Sequence, residues 1–430
     1  MRRRLGLPQR LLTMSTALAL SLAVFGALLL VAVLLDDMAA RLRLPGVLLV
    51  LLLGLLTDND LEALPGLPTQ PLLSLSGADQ IAQVGLVLVL FFGGLTTNWG
   101  ELRAVLRPAA RLATLGSLLT ALLITGIVLV LGSLPGAEQD VTLPLALFIG
   151  AMVCSTDASA VLALLRPLAG RLPKPLIDLI ECESAFNDPV AVVLAGLAMA
   201  MAGGGSDGLV APSALLTEVV RQFLLGILLG FLGGSLARQI FSARRSLTSP
   251  ALLAVVSLAV VMLLVGGTQL LGGSGLLAAY IAGLVLGNSS DCERLMLEEA
   301  HAGFAKMAEL LLFLCMGLVV SADSVVDSAV EVVVLFAGML LTRWLMVEVL
   351  LLGSGFRRPD RTFISASGIR GAVPIALAIQ AAASDVPWGK AMPPLALGVV
   401  LLGMLGQGFL LVPLARRLGL AEPAAADQQA

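Results

Sequence analysis

Long, mostly apolar runs are the feature of this 430-residue sequence that most restricts its fold. The runs over residues 105–133, 214–237 and 328–342 extend well past the length of a β-strand, and a helix needs about 20 such residues to cross a bilayer. Hydrophobic residues make up 58% of the chain and charged residues only 13%, which is too few for the charged surface of a soluble domain. The sequence therefore predicts an all-α membrane protein with many spans.

Polar breaks divide the apolar sequence into thirteen predicted transmembrane helices. They lie near residues 12–35, 45–57, 80–97, 108–133, 143–165, 174–202, 214–238, 250–270, 274–288, 302–321, 328–352, 361–382 and 391–416. Residues 1–11 form a basic tail before the first span, and residues 417–430 form a short tail after the last. We expect no cytosolic domain after the last span.

Most of the 26 basic residues fall on one side of this predicted topology, in segments such as 103–111 and 357–361 and at Lys306. The other side has Arg221 and Lys390. Because cytoplasmic loops carry the excess of Lys and Arg, the basic side is predicted to be cytoplasmic. The expectation is an integral plasma (inner) membrane protein with its C-terminus in the cytoplasm and its N-terminus outside. The arginines among the first ten residues conflict with this, since they are typical of a cytoplasmic tail or a signal peptide.

Five ionisable residues inside the predicted spans stand out as candidates, because charges there are costly and usually functional. Asp157 is in the fifth span, Glu183 and Asp188 are in the sixth, Arg343 is in the eleventh and Arg370 is in the twelfth. A pair between Glu183 and Arg343 is compatible both with a structural role, fixing helix register, and with a direct role in transport. Asp188 then has no surplus cation nearby, so it requires a proton or a metal cation.

Helix geometry brings the polar residues of the sixth span together. Glu183 with Asn187, and Ser184 with Asp188, are spaced four residues apart and share one face. Asp188 lies ten residues from Asp178, or about 15 Å along the helix, which is roughly the middle of the bilayer core. With Glu181 on the same side as Asp178, we expect an acidic funnel from the cytoplasm to Asp188.

Two polar, glycine-rich or proline-rich stretches predict broken helices at similar depth. Thr156-Asp157 interrupts the fifth span, and residues 368–374 interrupt the twelfth, which runs in the opposite direction. Residues 12–202 (spans 1–6) and 247–416 (spans 8–13) are therefore predicted to be inverted-topology repeats joined by span 7 in residues 203–246. Broken helices that meet at mid-membrane are where secondary transporters bind ions.

Four motifs in the fifth, sixth, eleventh and twelfth spans resemble a known family. They are Ser155-Thr156-Asp157-Ala158, Glu183-Ser184 followed by Asn187-Asp188-Pro189, Thr342-Arg343, and Gly368-Ile369-Arg370-Gly371-Ala372-Val373-Pro374. In this order they resemble the monovalent cation:proton antiporter family of the NhaP/NHE type, over nearly the whole chain. Residues 273–280 and 282–288 are most similar to its potassium/proton antiporter branch.

The resemblance implies a role for each of these residues. Asp188 would bind either the cation or the proton, and Ser184 and the backbone carbonyl of Thr156 would supply further oxygen ligands to Na⁺ or K⁺. Asp157 would face the N-terminal end of the broken twelfth span and offset its helix dipole. Asn187 completes the implied cation and proton site.

The resemblance also implies that Glu183 and Arg343 form a structural ion pair, with Asn187 hydrogen-bonded beside them, and that Arg370 is a second basic residue of the twelfth span. Members of the family are usually homodimers with an elevator-like moving core. Two departures stand out. The third span, Leu90 to Leu95, lacks the acidic residue that the family often has before its small residues. A cytosolic regulatory domain, frequent in the potassium branch, is not expected here.

The predicted function is one-for-one, electroneutral exchange of Na⁺ and/or K⁺ for H⁺, with the lipid bilayer as the surrounding medium. A cation channel is an alternative, although no repeated carbonyl filter or acidic ring is visible. A transport-impaired sensor subunit of the same fold is another, which the missing acidic residue of the third span would allow. No nucleophile–base pair, phosphate loop or metal cluster is present in the sequence, so we expect neither an enzyme, nor a cofactor, nor binding of nucleic acid.

Overall fold

The computed structural model describes residues 16–42, 44–57, 59, 71–134, 141–203, 212–243, 250–289 and 291–421. These residues form helices and no strand. The α-helices are α1 (Thr16–Leu42), α2 (Gly46–Leu56), α3 (Leu75–Thr96), α4 (Trp99–Leu102), α5 (Leu106–Arg111), α6 (Ser117–Gly132), α7 (Leu143–Cys154), α8 (Ala158–Leu165), α9 (Lys174–Gly203), α10 (Pro212–Ala243), α11 (Pro250–Leu270), α12 (Gly275–Gly287), α13 (Asp291–Val319), α14 (Ala322–Asp327), α15 (Ala329–Leu350), α16 (Arg358–Ala366), α17 (Ala372–Ala383), α18 (Met392–Leu402) and α19 (Gly408–Arg417).

The helices confirm the predicted all-α membrane fold. Ten helical segments within the described residues are long and apolar enough to cross a membrane, and α2, α12 and α17 are shorter apolar helices. π-Helical turns at Leu112–Gly116 and Gly403–Gln407 join α5 to α6 and α18 to α19 into continuous segments. The count of thirteen spans and the inverted repeats stay predictions. The predicted tail at 1–11 and residues 422–430 lie outside the described residues.

The outer helices expose apolar side chains along one face, as expected for contact with lipid. On α10, exposed large side chains recur at helical spacing, at Leu224, Leu228, Phe231, Leu232 and Leu236. A soluble surface would carry charge at such positions, whereas a hydrocarbon environment leaves them in a medium as apolar as themselves.

The central helices are buried on every side. Each residue of α7 from Leu145 to Cys154 is buried, and so is each residue of α17 from Ala372 to Ile379. Both helices end or begin at an interruption in the middle of the protein, so the irregular backbone lies inside protein rather than against lipid. This is the condition under which a broken helix is tolerated at membrane depth.

Small residues allow α3 and α12 to approach closely. A Cβ atom at Gly94 would overlap the carbonyl oxygen of Tyr280, and one at Gly283 would overlap the carbonyl oxygen of Phe91. Close backbone approach at small residues is the usual way in which membrane helices pack, because lipid provides no hydrophobic force between them. This contact holds α3 in place beside the interruption described below.

Gly94→Ala is therefore expected to push α3 and α12 apart and to destabilise the protein by about 1–3 kcal/mol through overpacking. Thermal unfolding of the purified protein in detergent measures the effect. Gly93→Ala is the matched control, because a Cβ at Gly93 meets nothing within 4 Å. Equal unfolding temperatures for the two variants would contradict the proposed close contact.

Candidate functional site

Two interrupted helices touch in the middle of the protein. Residues 155–157 separate α7 from α8, and residues 367–371 separate α16 from α17. The backbone N–H of Asp157 donates a hydrogen bond to the carbonyl oxygen of Ile369, at 2.8 Å. The two irregular stretches therefore satisfy part of each other's backbone hydrogen bonding, which lipid could not do.

Asp157 lies at the beginning of both downstream half-helices. Its Oδ1 accepts hydrogen bonds from the backbone N–H of Ser159 (2.8 Å) and of Ala160 (3.2 Å) and from the Ser159 hydroxyl (2.6 Å). Its other carboxylate oxygen lies against Gly371, where a Cβ atom would overlap it. Gly371 directly precedes α17, so the negative charge is close to the positive dipole ends of α8 and α17.

Two arginines lie at the ends of the upstream half-helices. Arg370 Nε donates to the carbonyl oxygen of Val153, in the last turn of α7, at 2.9 Å, and its Nη1 donates to the carbonyl oxygen of Gly368. Arg343 Nη2 donates to the carbonyl oxygen of Ile364, in the last turn of α16, at 3.2 Å. Positive charge is thus placed where the helix dipoles are negative and where backbone carbonyls lack helical partners.

Arg343 also forms a bidentate ion pair with Glu183. Nη1 contacts Oε1, and Nη2 donates to Oε2 at 2.9 Å. The side chains are 9% and 2% exposed, respectively, so both charges are desolvated and each depends on the other. The pair joins α15 to α9 and leaves neither charge for a transported ion.

Ser184 and Asn187 of α9 contact the interruption between α7 and α8 at Thr156. The hydroxyls of Thr156 and Ser184 are 2.9 Å apart, and Asn187 Nδ2 donates to Thr156 Oγ1 at 2.8 Å. The backbone N–H of Thr156 donates to Asn187 Oδ1 at 3.3 Å. Within the described residues, the hydrogen bonds of the Asn187 side chain go to the interrupted helix at Thr156.

Asp188 lines a cavity of about 220 Å³ between the interrupted helices and α3 and α13. Thr156 and Asp157 line the same cavity, whereas Ser184 and Asn187 lie behind Thr156. Within the described part of the chain, Asp188 makes no hydrogen bond or ion pair. The cavity therefore contains one carboxylate without a protein partner, beside a second carboxylate that is held by a helix end.

The cavity also contains two charged residues that sequence reasoning missed as site residues. Lys306 and Glu309 of α13 line it, with Lys306 Nζ 3.2 Å from Glu309 Oε2 and 2.9 Å from Asp36 Oδ1 of α1. The signal that was present is their spacing of three residues on a segment predicted to span the membrane. Lys306 belongs to the cavity rather than to a cytoplasmic loop.

Of the described residues, those that line the cavity include Glu309 and Lys306 of α13 and Phe92 of α3, whereas Asp178 and Glu181 of the predicted funnel are not among them. The acidic funnel on α9 stays a prediction. Phe92 belongs to the stretch of the third span that lacks an acidic residue.

Comparison with known proteins agrees with this geometry. Residues 14–417 match the family model described as sodium/hydrogen exchanger, transmembrane. The chain belongs to this exchanger family. A family member of this kind is a polytopic membrane protein that transports ions, which is consistent with the interrupted helices and the membrane-embedded carboxylates described above.

Curated relatives of this family member include both potassium and sodium antiporters. The K(+)/H(+) antiporter NhaP2 of Shewanella sp. (strain MR-4) is 34% identical over 92% of this chain and 67% of its own length. The K(+)/H(+) antiporter NhaP of Alkalimonas amylolytica is 30% identical over 95% and 68%, respectively. The Na(+)/H(+) antiporter NhaP of Pseudomonas aeruginosa is 29% identical over 78% of this chain and 80% of its own.

A solved structure has the same fold. The sodium proton antiporter MjNhaP1 from Methanocaldococcus jannaschii matches 94% of this chain and 98% of its own with a TM-score of 0.75 and 23% sequence identity. The arrangement of helices around the two interruptions is therefore that of a known antiporter fold.

Glu183→Gln is expected to destabilise this family member by about 3–5 kcal/mol, because it leaves Arg343 charged, buried and without its partner. Thermal unfolding in detergent or nanodiscs measures the loss. The control is Asp37→Asn, which breaks the ion pair between Asp37 and Arg41, whose side chains are 66% and 79% exposed, respectively. Losing this exposed pair should cost about 1 kcal/mol or less. A loss for Glu183→Gln no larger than that of the control would show that the buried pair is not structural.

Proposed function

We propose that this protein is a secondary active antiporter that exchanges a monovalent cation, Na⁺ and/or K⁺, for H⁺ across the membrane. The observation that carries the proposal is the position of Asp188, which lines a cavity beside two interrupted helices and has no ion-pair partner among the described residues. A carboxylate in such surroundings requires a positive charge, and a proton and a cation cannot both occupy it.

The cation would be held by oxygen atoms of α9 and of the interruption in the fifth span. Asp188 supplies the charge, and the carbonyl oxygen of Thr156 supplies a neutral oxygen of the kind that replaces the hydration shell of monovalent cations. The hydroxyl of Ser184, the other predicted ligand, lies behind Thr156 and supports it from there. Asn187 holds the Thr156 peptide, and Asp157 fixes the ends of the half-helices that carry it.

The stoichiometry follows from the charges that are already paired. Of the three carboxylates Asp157, Glu183 and Asp188, Glu183 is matched by Arg343 and Asp157 by helix ends, so Asp188 remains to be neutralised. One proton or one cation neutralises it, and only the neutral site crosses hydrocarbon at low cost. Exchange is therefore one-for-one and electroneutral.

The proposal includes a topology and an assembly. The interruptions at 155–157 and 367–371 support inverted repeats over residues 12–202 and 247–416, joined through residues 203–246. The distribution of Lys and Arg supports a cytoplasmic C-terminus in the plasma membrane. Resemblance to the family supports a homodimer, which native mass spectrometry from lipid can test.

The test uses purified protein in proteoliposomes with an acidic interior and a trapped pH dye. Addition of Na⁺ or K⁺ outside should dissipate the pH gradient, and Li⁺ is tested in parallel. Asp188→Asn should abolish this flux while the protein elutes and unfolds like the wild type, because the neutral amide cannot exchange a proton for a cation. The control is Asp323→Asn at an exposed position of α14, with wild-type flux. Full activity of Asp188→Asn would refute the assignment of this carboxylate.

Charge movement separates the rival functions. On a solid-supported membrane, electroneutral exchange should produce proton flux without net current, whatever the cation. A cation current without proton coupling would establish a channel. Absence of cation-dependent proton flux with each of the three cations, from folded wild-type protein, would favour a sensor subunit that has kept the fold.

A further inference from the structure

Two charged side chains of α13 face the same cavity as Asp188 and play no part in the proposal above. Lys306 and Glu309 are one helical turn apart, and their side chains are 44% and 21% exposed. They lie on the wall of the cavity formed by α3 and α13. The other wall is formed by the interruptions, with Asp157, and by α9, with Asp188. Their charges therefore act on whatever ion enters the space between the two walls.

Glu309 approaches the interrupted helices through a single hydroxyl group. Its Oε1 is 3.5 Å from Ser159 Oγ, which is 2.6 Å from Asp157 Oδ1. A serine hydroxyl has one proton, and the shorter contact with Asp157 takes it. Within the described part of the chain, Oε1 of Glu309 therefore lacks a strong donor and remains an acceptor at the cavity.

The positive charge of Lys306 does not cancel the negative charge around it. Its ammonium group contacts Glu309 Oε2 at 3.2 Å and Asp36 Oδ1 at 2.9 Å, so two carboxylates share one cation. Asp157 and Asp188 add two more carboxylates on the opposite wall. The described ionisable groups in and beside the cavity leave it negative on both walls, which attracts a cation.

The chemistry of α3 explains why a carboxylate on α13 is significant. Phe92 lines the cavity at the stretch where the third span has no acidic residue, and α3 packs directly against α13. The wall facing Asp188 thus receives its negative charge from Glu309 and not from α3.

We infer that Glu309, the acidic residue of the wall opposite Asp188, determines the affinity for the transported cation. Lys306, which Asp36 holds in place, partly neutralises Glu309 and so weakens its attraction for the cation. The inference rests on the proposed antiport function. Glu309 is a charge that the entering ion meets before Asp188, while Asp188 remains the group at which cation and proton exclude each other.

The test measures the KM for the cation and the maximal rate of pH-gradient dissipation in proteoliposomes, with Na⁺ and with K⁺ at one fixed pH. Glu309→Gln should raise the KM about three- to tenfold, because it removes a negative charge within a few ångströms of the cation route while Lys306 stays charged. Lys306→Gln should lower the KM by about the same factor. Glu309→Asp, which keeps the charge, should restore most of the wild-type KM.

The double variant Lys306→Gln/Glu309→Gln restores the net charge of the wild type, so its KM should return close to the wild-type value. A packing role would not produce opposite shifts in KM from two neighbours, nor cancellation in the double variant. The matched control is Glu299→Gln, an exposed carboxylate on the same helix but away from the cavity, with an unchanged KM.

The outcomes separate this inference from the function on which it rests. If wild-type protein shows no cation-dependent proton flux, both the antiport proposal and the role of Glu309 are refuted. If wild-type protein exchanges and Asp188→Asn does not, yet Glu309→Gln keeps the wild-type KM or Lys306→Gln shifts it upward, the antiport proposal stands and the role of Glu309 is overturned.

Discussion

The structure depends on compensating charge at the ends of two helices that are broken inside a membrane. Each interruption exposes backbone N–H groups on one side and carbonyl groups on the other, and hydrocarbon satisfies neither. Asp157 lies at the two ends rich in N–H groups, and Arg370 and Arg343 donate to carbonyls at the two opposite ends. In a soluble protein, water could form these hydrogen bonds with the helix ends. Inside a membrane, side chains must form them.

This compensation divides the embedded charges of the described residues into those that have a partner in the protein and one that does not. Glu183 neutralises Arg343, so the arginine that donates to the end of α16 has its counter-charge within the protein. Asp157 is held by hydrogen bonds from the helix it begins. Asp188 takes part in neither arrangement among the described residues. Under the proposed antiport, it is the carboxylate that a transported cation or proton neutralises.

Local sequence was sufficient for the features that a single helix determines. The shared face of Ser184 and Asp188 and the break at Thr156 follow from helical periodicity and residue type, and the structure places these residues around one interruption. Contacts between distant segments were beyond such reasoning. Lys306 contacts Asp36, which is 270 residues away in the sequence, and neither segment alone indicates that α1 and α13 are neighbours. The lining of the cavity by α3 and α13 was beyond the sequence for the same reason, since packing between helices decides which residues face it.

The two walls of the cavity differ in what a proton can do to them. If a cation and a proton exclude each other at Asp188, as proposed, a proton there removes one negative charge from the wall that Asp157 and Asp188 share. On the wall of α13, Lys306 shares its charge between Glu309 and Asp36, and these two contacts do not involve Asp188. Under that proposal, the α13 wall attracts cations constantly, whereas the attraction of the Asp188 wall changes with protonation. Ser159 lies between them, close to carboxylates of both walls, so any movement of the interrupted helices past α13 must first break this contact.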